Sequence, residues 1–486
     1  MVFNSFGFVL LFLPAFLLAM ELTKRIAQRK PEYREACKVV IIAFSLVFYG
    51  FFGIRNLAVI TASVLVNALG AWLLQKKPKS FCKLLFVILV LVNVVSLLFF
   101  KFSGVFFPIA VSFYTFNQIS YIVDTYRGDV GEFELVNYLA YILFFPKLLQ
   151  GPLMGYGDFV GGLDKVISFK FDHEKMLRAM LLLSMGLFKK VILADTFGRA
   201  VDYGYDNLLT LGSLEAVLVA VFYSFQLYFD FSGYCDMASA VCMMIGFDLP
   251  VNFDSPYKAV SIVDFWKRWH ITLTKFFTKY VYIPLGGNRK GAARMYLNFM
   301  IVFLLSGLWH GSGWTFIVWG AMHGVLYVIT RAVTLGRITG KNISNAAGHG
   351  SVMIRHCISI MLTFIYVTVA WVFFRANTIS DAITLLTRVF TGGSRRVATS
   401  ILACFQLDEL WYVIKVTPLM KLDFVWEICM WLFLAGSVVI IFFSRNAIEI
   451  SQKCRIGIKT TLLTALLLVW SIVSFSGVST FLYMNF

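Results

Sequence analysis

Long apolar runs alternate with short polar, mostly basic connectors from one end of the chain to the other. A bilayer core takes roughly 20 apolar residues per crossing helix. Runs that meet or approach this length cover 3–20, 39–53, 57–74, 84–100, 214–231, 295–309, 314–328, 357–374, 425–443 and 461–484. Shorter or polar-interrupted runs cover 108–123, 138–149, 176–191 and 236–247. Non-spanning backbone at membrane depth is tolerated only where protein or a water-filled cavity shields it. Several of the shorter runs are therefore candidates for re-entrant elements lining a cavity. The pattern predicts an all-α polytopic membrane protein with one integral membrane domain over 1–486. Neither an internal repeat nor a coiled coil is evident.

Composition strengthens this reading. Of 486 residues, 59% are hydrophobic and 14% charged, against about 45–50% and 25% in soluble domains. Aromatics reach 17%, including 50 Phe, which suits lipid-facing and interfacial surfaces. The formal charge is +17, but the basic residues sit in connectors. That is the pattern of cytoplasmic loops and of contact with anionic lipid headgroups, and it argues against nucleic acid. Two such groups are Lys24, Arg25, Arg29 and Lys30, then Lys76, Lys77, Lys79 and Lys83. Both lie inside if the N-terminus is outside. Arg445, Lys453, Arg455 and Lys459 likewise place the C-terminus outside. No basic segment precedes the first run and no small-residue cleavage site follows it, so a retained first helix is expected. The eight cysteines are scattered without a CxxC pair, which argues against zinc or a disulfide scaffold.

Chemistry concentrates in the histidines, of which there are six. His173, His349 and His356 fall in polar stretches and are expected to be solvated. The other three lie in the apolar or semi-apolar centre, where ionisable groups are costly and often functional. His310 ends an apolar run in SGLWHGSG (306–313). It has two readings, a neutral histidine hydrogen-bonded across helices or a catalytic base. His270 ends DFWKRWHI (264–271), which reads as an amphipathic interfacial helix. That helix would grip headgroups, or form a basic cytoplasmic doorway for a phosphorylated acyl donor, or both. His323, beside Gly320 and Gly324, reads as a packing residue. The loop YVYIPLGGNRKG (280–291) could cradle phosphates through its N–H groups, but it is neither a Walker nor a Rossmann fingerprint. Asp230 and Asp236 end an apolar run and need partners; a structural role is favoured. No Gly-x-Ser-x-Gly, His-Glu-x-x-His or clear cysteine nucleophile is found. A histidine general base acting directly on a hydroxyl is the simplest chemistry.

The motifs DFWKRWHITLTKFFTKYVYIPLGGNRKG (264–291) and LWHG (308–311) resemble the membrane-bound O-acyltransferase family. The bacterial branch of alginate O-acetyltransferases, which also includes peptidoglycan O-acetyltransferases and teichoic acid D-alanyl transferases, is most similar. SFYTFNQISYIVDTYRG (112–128), FDFSGYCDMA (229–238) and WVFFRAN (371–377) also match. The chain departs at FPKLLQGP (145–152), where Lys147 stands in place of the histidine often found in relatives.

The resemblance implies roughly 11–14 transmembrane or re-entrant helices around a central funnel. N-terminal helices would occupy 1–100, the family core 101–377 and C-terminal helices 378–486. It implies catalytic roles for His310 and His270. Lys267, Arg268, Trp269, Trp309, Asn288 and Asp236 are expected to line the substrate path. No bound cofactor is expected. The donor would be acetyl-CoA or another acyl thioester arriving from the cytoplasm. The acceptor would be an extracytoplasmic polysaccharide, served by a periplasmic or extracellular partner protein in a cell membrane. Rival readings are D-alanyl transfer to teichoic acid, an acyl-translocating channel serving a separate transferase, and a flippase.

Overall fold

The computed structural model describes residues 1–339, 349–393, 396–407, 414–422, 424–477 and 481–482. Among these the ordered elements are helices. Eight are long and apolar enough to cross a membrane: Gly7–Arg29 (α1), Ile54–Lys76 (α3), Lys79–Phe102 (α4), Ser213–Ile245 (α11), Ala292–His310 (α14), Trp314–Thr334, Met353–Arg375 and Val425–Phe443. Each overlaps one of the ten long apolar runs. The remaining two form shorter helices, Arg34–Gly50 (α2) and Ile458–Val473. The last run extends past the second of these, and 478–480 and 483–484 lie outside the described residues.

The interrupted runs behave differently. Residues 108–123 contribute α5 (Val111–Arg127), which is buried along most of its length. The run 138–149 breaks into α6 (Leu135–Leu143) and α7 (Phe145–Leu148), with Pro146 at the start of the second. The run 176–191 lies in α9 (His173–Phe188) and the π-helical turn Lys189–Ala194 after it. Residues 236–247 do not form a separate element. They continue α11, a single helix of 33 residues. Asp230 does not break it, because a carboxylate paired with the buried Lys190 ammonium at 2.8 Å no longer opposes burial. His356 is another departure: it is exposed on α16 (His349–Arg375) rather than in a loop.

The chain divides into two compact units. One comprises Met1–Phe188, Gly233–Val251 and Ala447–Phe486. Its core is phenylalanine-rich. The Phe145 ring lies 5.1–5.3 Å from those of Phe12, Phe16 and Phe48. Between α3 and α4, Asn67 and Asn93 exchange side-chain hydrogen bonds at 3.3 and 2.6 Å. Such pairs tie helices together where apolar surface alone discriminates poorly. Lys147 is fully buried in this unit. Its Nζ sits 3.8 Å from the Tyr141 ring centroid and 3.4 Å from Asn117 Oδ1.

The other unit comprises Lys189–Ser232 and Asn252–Asn446. It carries α10 (Asp195–Asp206), α12 (Ile262–Arg268), α13 (Ile271–Phe277), α14, α15 (Trp314–Thr339) and α16. Backbone meets backbone where α14 crosses α15. A Cβ on Gly307 would lie 2.4 Å from the Phe316 oxygen, and one on Gly320 2.5 Å from the Phe303 oxygen. Only glycine permits that approach. It anchors the C-terminal turn of α14, which ends in Trp309 and His310.

Candidate active site

Ser261 caps α12 by accepting from the Asp264 N–H at 3.2 Å. The helix stops after Arg268, short of the amphipathic helix expected over 264–271. His270 lies outside it with φ +44° and ψ +51°, a left-handed conformation uncommon for a residue with a Cβ. Tertiary hydrogen bonds override helix propensity here. Ile271 N donates to Asn252 O at 3.0 Å, and Asp254 N donates to Arg268 O at 2.9 Å. The chain around 252–254 thus draws the backbone out of the helix and turns His270 inward.

The His270 ring is wholly buried. Its neighbours are the rings of Phe231 at 4.9 Å, Phe253 at 6.4 Å and Trp309 at 6.5 Å. Burial pushes its pKa down to about 3, because no nearby charge compensates for desolvating the imidazolium. Its Nδ1 lies 3.2 Å from Asn252 Oδ1.

His310 is the last residue of α14 and is buried. Its ring packs against Trp309 at 4.6 Å, Trp319 at 5.1 Å and Phe374 at 5.1 Å. Trp309 therefore stands between the two histidines. His323 belongs to the same cluster, 4.9 Å from Trp319, and accepts from Trp266 Nε1–H at 3.3 Å. Trp309, Trp319 and Phe374 form an apolar box around His310, suited to excluding water.

The remaining candidates separate. Trp269 is buried and packs against Phe253 and Trp371 at 4.9 and 5.0 Å. Arg268 is committed to Asp264 at 3.0 Å and approaches Asp254 at 3.9 Å. Lys267 and Asn288 are exposed and line a cavity of about 410 Å³. Its wall continues through Trp266, Phe303 and Ser306, which is one helical turn before His310. Asp236 is buried on the part of α11 that belongs to the other unit. Asp230 takes the structural role favoured for it. Lys190 Nζ bridges Asp195 at 2.9 Å and Asp230 at 2.8 Å.

Sequence reasoning missed Asn252, Trp319 and the Lys190–Asp195 partnership. The first lay unremarked in the VNFDSPY stretch (251–257). The second differs in no visible way from other tryptophans of an apolar helix.

The description "membrane-bound O-acyltransferase family" matches residues 129–369. A peptidoglycan O-acetyltransferase of Helicobacter pylori is 32% identical, with 100% of this chain and 98% of that protein aligned. The probable alginate O-acetylase AlgI of Pseudomonas fluorescens is 36% identical over 81% of this chain and 76% of its own length. A teichoic acid D-alanyltransferase of Streptococcus thermophilus is 29% identical over 46% of this chain and 57% of its own. With eight candidate spans and an end-to-end relative, the chain belongs to the membrane-bound O-acyltransferase family and is a multi-pass O-acyltransferase.

Proposed function

We propose that the chain moves an acetyl group from a cytoplasmic thioester, acetyl-CoA or a carrier-bound equivalent, to hydroxyls of an extracytoplasmic glycan. Peptidoglycan is the first acceptor to test, because the similarity to a peptidoglycan O-acetyltransferase runs through the whole of both chains. Alginate-like polysaccharides come second. The observation that carries the reading is the placement of His310. It ends α14 in a ring-lined box, one turn beyond Ser306 of a cavity whose exposed end holds Lys267 and Asn288. The cavity's cationic, polar end suits a phosphorylated carrier, and its apolar wall suits the thioester arm.

In this mechanism His310 takes the proton of the acceptor hydroxyl. The oxygen attacks the thioester carbonyl, and the tetrahedral adduct collapses to ester and thiolate. His310 then returns the proton to the thiolate, so ester and free thiol leave. A histidine base in such a step contributes about 10²–10⁴-fold. The basic loops after α1 and around 76–83 support an arrangement with both termini outside the inner membrane. A separate extracytoplasmic transferase that finishes the reaction is compatible with this assignment. In that case His310 would serve acyl passage rather than the final ester.

The test follows label from radiolabelled acetyl-CoA into the glycan fraction of membranes carrying wild type or His310→Ala at matched insertion levels. Label that reaches the glycan only with wild type supports the reading. Equal transfer by His310→Ala rejects His310 as the base. D-alanyl label transferred in place of acetyl would select the teichoic acid reading.

A further inference from the structure

The contacts of Asn252 define its orientation. A backbone N–H can only donate, and Thr272 N–H points at the Asn252 side-chain oxygen at 3.2 Å. The Thr272 hydroxyl reaches the same atom at 2.9 Å. The atom facing these donors is therefore the amide oxygen, and His270 Nδ1 lies 3.2 Å from it. An oxygen with no hydrogen cannot donate, so Nδ1 must carry the proton. A neutral imidazole carries a single N–H, which leaves Nε2 a bare lone pair. Burial keeps the ring in that neutral form. Nε2 is itself buried and meets no hydrogen-bond partner among the described residues. A buried acceptor without a partner is costly. The site thus maintains an unsatisfied acceptor in an otherwise well-bonded turn, on a residue already held in a left-handed backbone conformation.

We infer that Asn252 is a positioning residue for His270, fixing it as the Nδ1–H tautomer so that Nε2 offers a lone pair to an N–H or O–H of the bound substrate. This rests on the proposed transferase reading for its purpose but not for its geometry. Asn252 touches no reacting atom in this scheme; it acts through the ring.

The test has a spectroscopic arm and a kinetic arm, both on the full chain. In ¹⁵N-histidine-labelled protein in detergent, His270→Gln removes and so identifies one imidazole among the six histidines. Wild type should show that ring protonated at Nδ1 and bare at Nε2. Asn252→Ala should lose the signature, and Asn252→Asp, which keeps an acceptor oxygen in place, should retain it. A wild-type ring protonated at Nε2, or one unchanged in Asn252→Ala, overturns the inference. In membranes given labelled acetyl-CoA, Asn252→Ala should cost about tenfold or more in transfer, with Asn252→Asp recovering most of it. In a His270→Gln background the same substitution should cost nothing further. An equal loss in both backgrounds makes Asn252 merely structural and sinks the proposal. Absence of transfer by wild type itself would reject the proposed acetyl transfer instead, with the tautomer still decided by the spectrum.

Discussion

His270 and His323 are both fully buried, both packed among aromatic rings, and both held through Nδ1. Their partners differ in kind. His323 accepts from an indole N–H, whereas His270 faces a carbonyl oxygen. Their backbones differ too: His323 lies inside the regular helix α15, while His270 occupies a left-handed break between α12 and α13. The pair teaches that burial alone does not set a histidine's hydrogen-bonding role. The atom opposite the ring decides which face of the imidazole is available, and a backbone held out of its preferred region indicates that the position matters.

Substitutions can break or sharpen that contrast. The third buried histidine sets the ceiling. His310→Ala should lower acetyl transfer about 10³-fold with normal membrane insertion. Transfer within about threefold of wild type would remove it from the mechanism and leave the other two without a reference. Lys190→Met should have a comparable effect of a different kind. It removes the ammonium that both Asp195 and the buried Asp230 contact, at about 3–5 kcal/mol. Folded protein should therefore be lost in a detergent melting assay before any question of rate arises. A Lys190→Met protein that melts like wild type would show that the acids reorganise.

His270 itself should matter to both rate and acid stability. His270→Gln should cost roughly 10²-fold in transfer. Its folded pKa, pushed down to about 3, lies below the unfolded value near 6.5. The unfolded chain therefore binds the extra proton across that window, and stability falls as pH drops through it. Between pH 7 and pH 5 about 2 kcal/mol is lost from this group, and His270→Gln should flatten that slope in melts at the two pH values. An identical slope would mean that the ring is protonated in the folded protein. The smallest effect on rate belongs to His323→Phe, which should leave transfer within about threefold. It strands the Trp266 N–H and should lower stability by about 1–3 kcal/mol. A rate loss as large as that of His270→Gln would erase the distinction between the two rings.

Much of this was legible in the sequence. Apolar length alone located the long spans, because the bilayer imposes one dominant constraint. His310 stood out because ionisable groups are scarce in apolar runs, and His270 because it ends the aromatic and basic segment 264–271. What could not be read depends on contacts between distant residues. The break after Arg268 is made by backbone hydrogen bonds to 252 and 254, and nothing in 264–271 announces it. The continuity of α11 through Asp230 and Asp236 depends for Asp230 on Lys190, 40 positions away. Arg268, expected to line the substrate path on a basic surface, is committed to Asp264 by a local i,i+4 pair that charge spacing alone could have shown.

The crossing of α14 on α15 has a consequence for redesign. Gly307 and Gly320 leave no space for even a methyl group between the two helices, so that face is closed to tinkering. On the proposed reading of the cavity as the donor site, a variant library seeking to admit bulkier acyl groups would work on α13 instead. There Leu273 and Phe277 line the wall, and trimming them should enlarge the cavity.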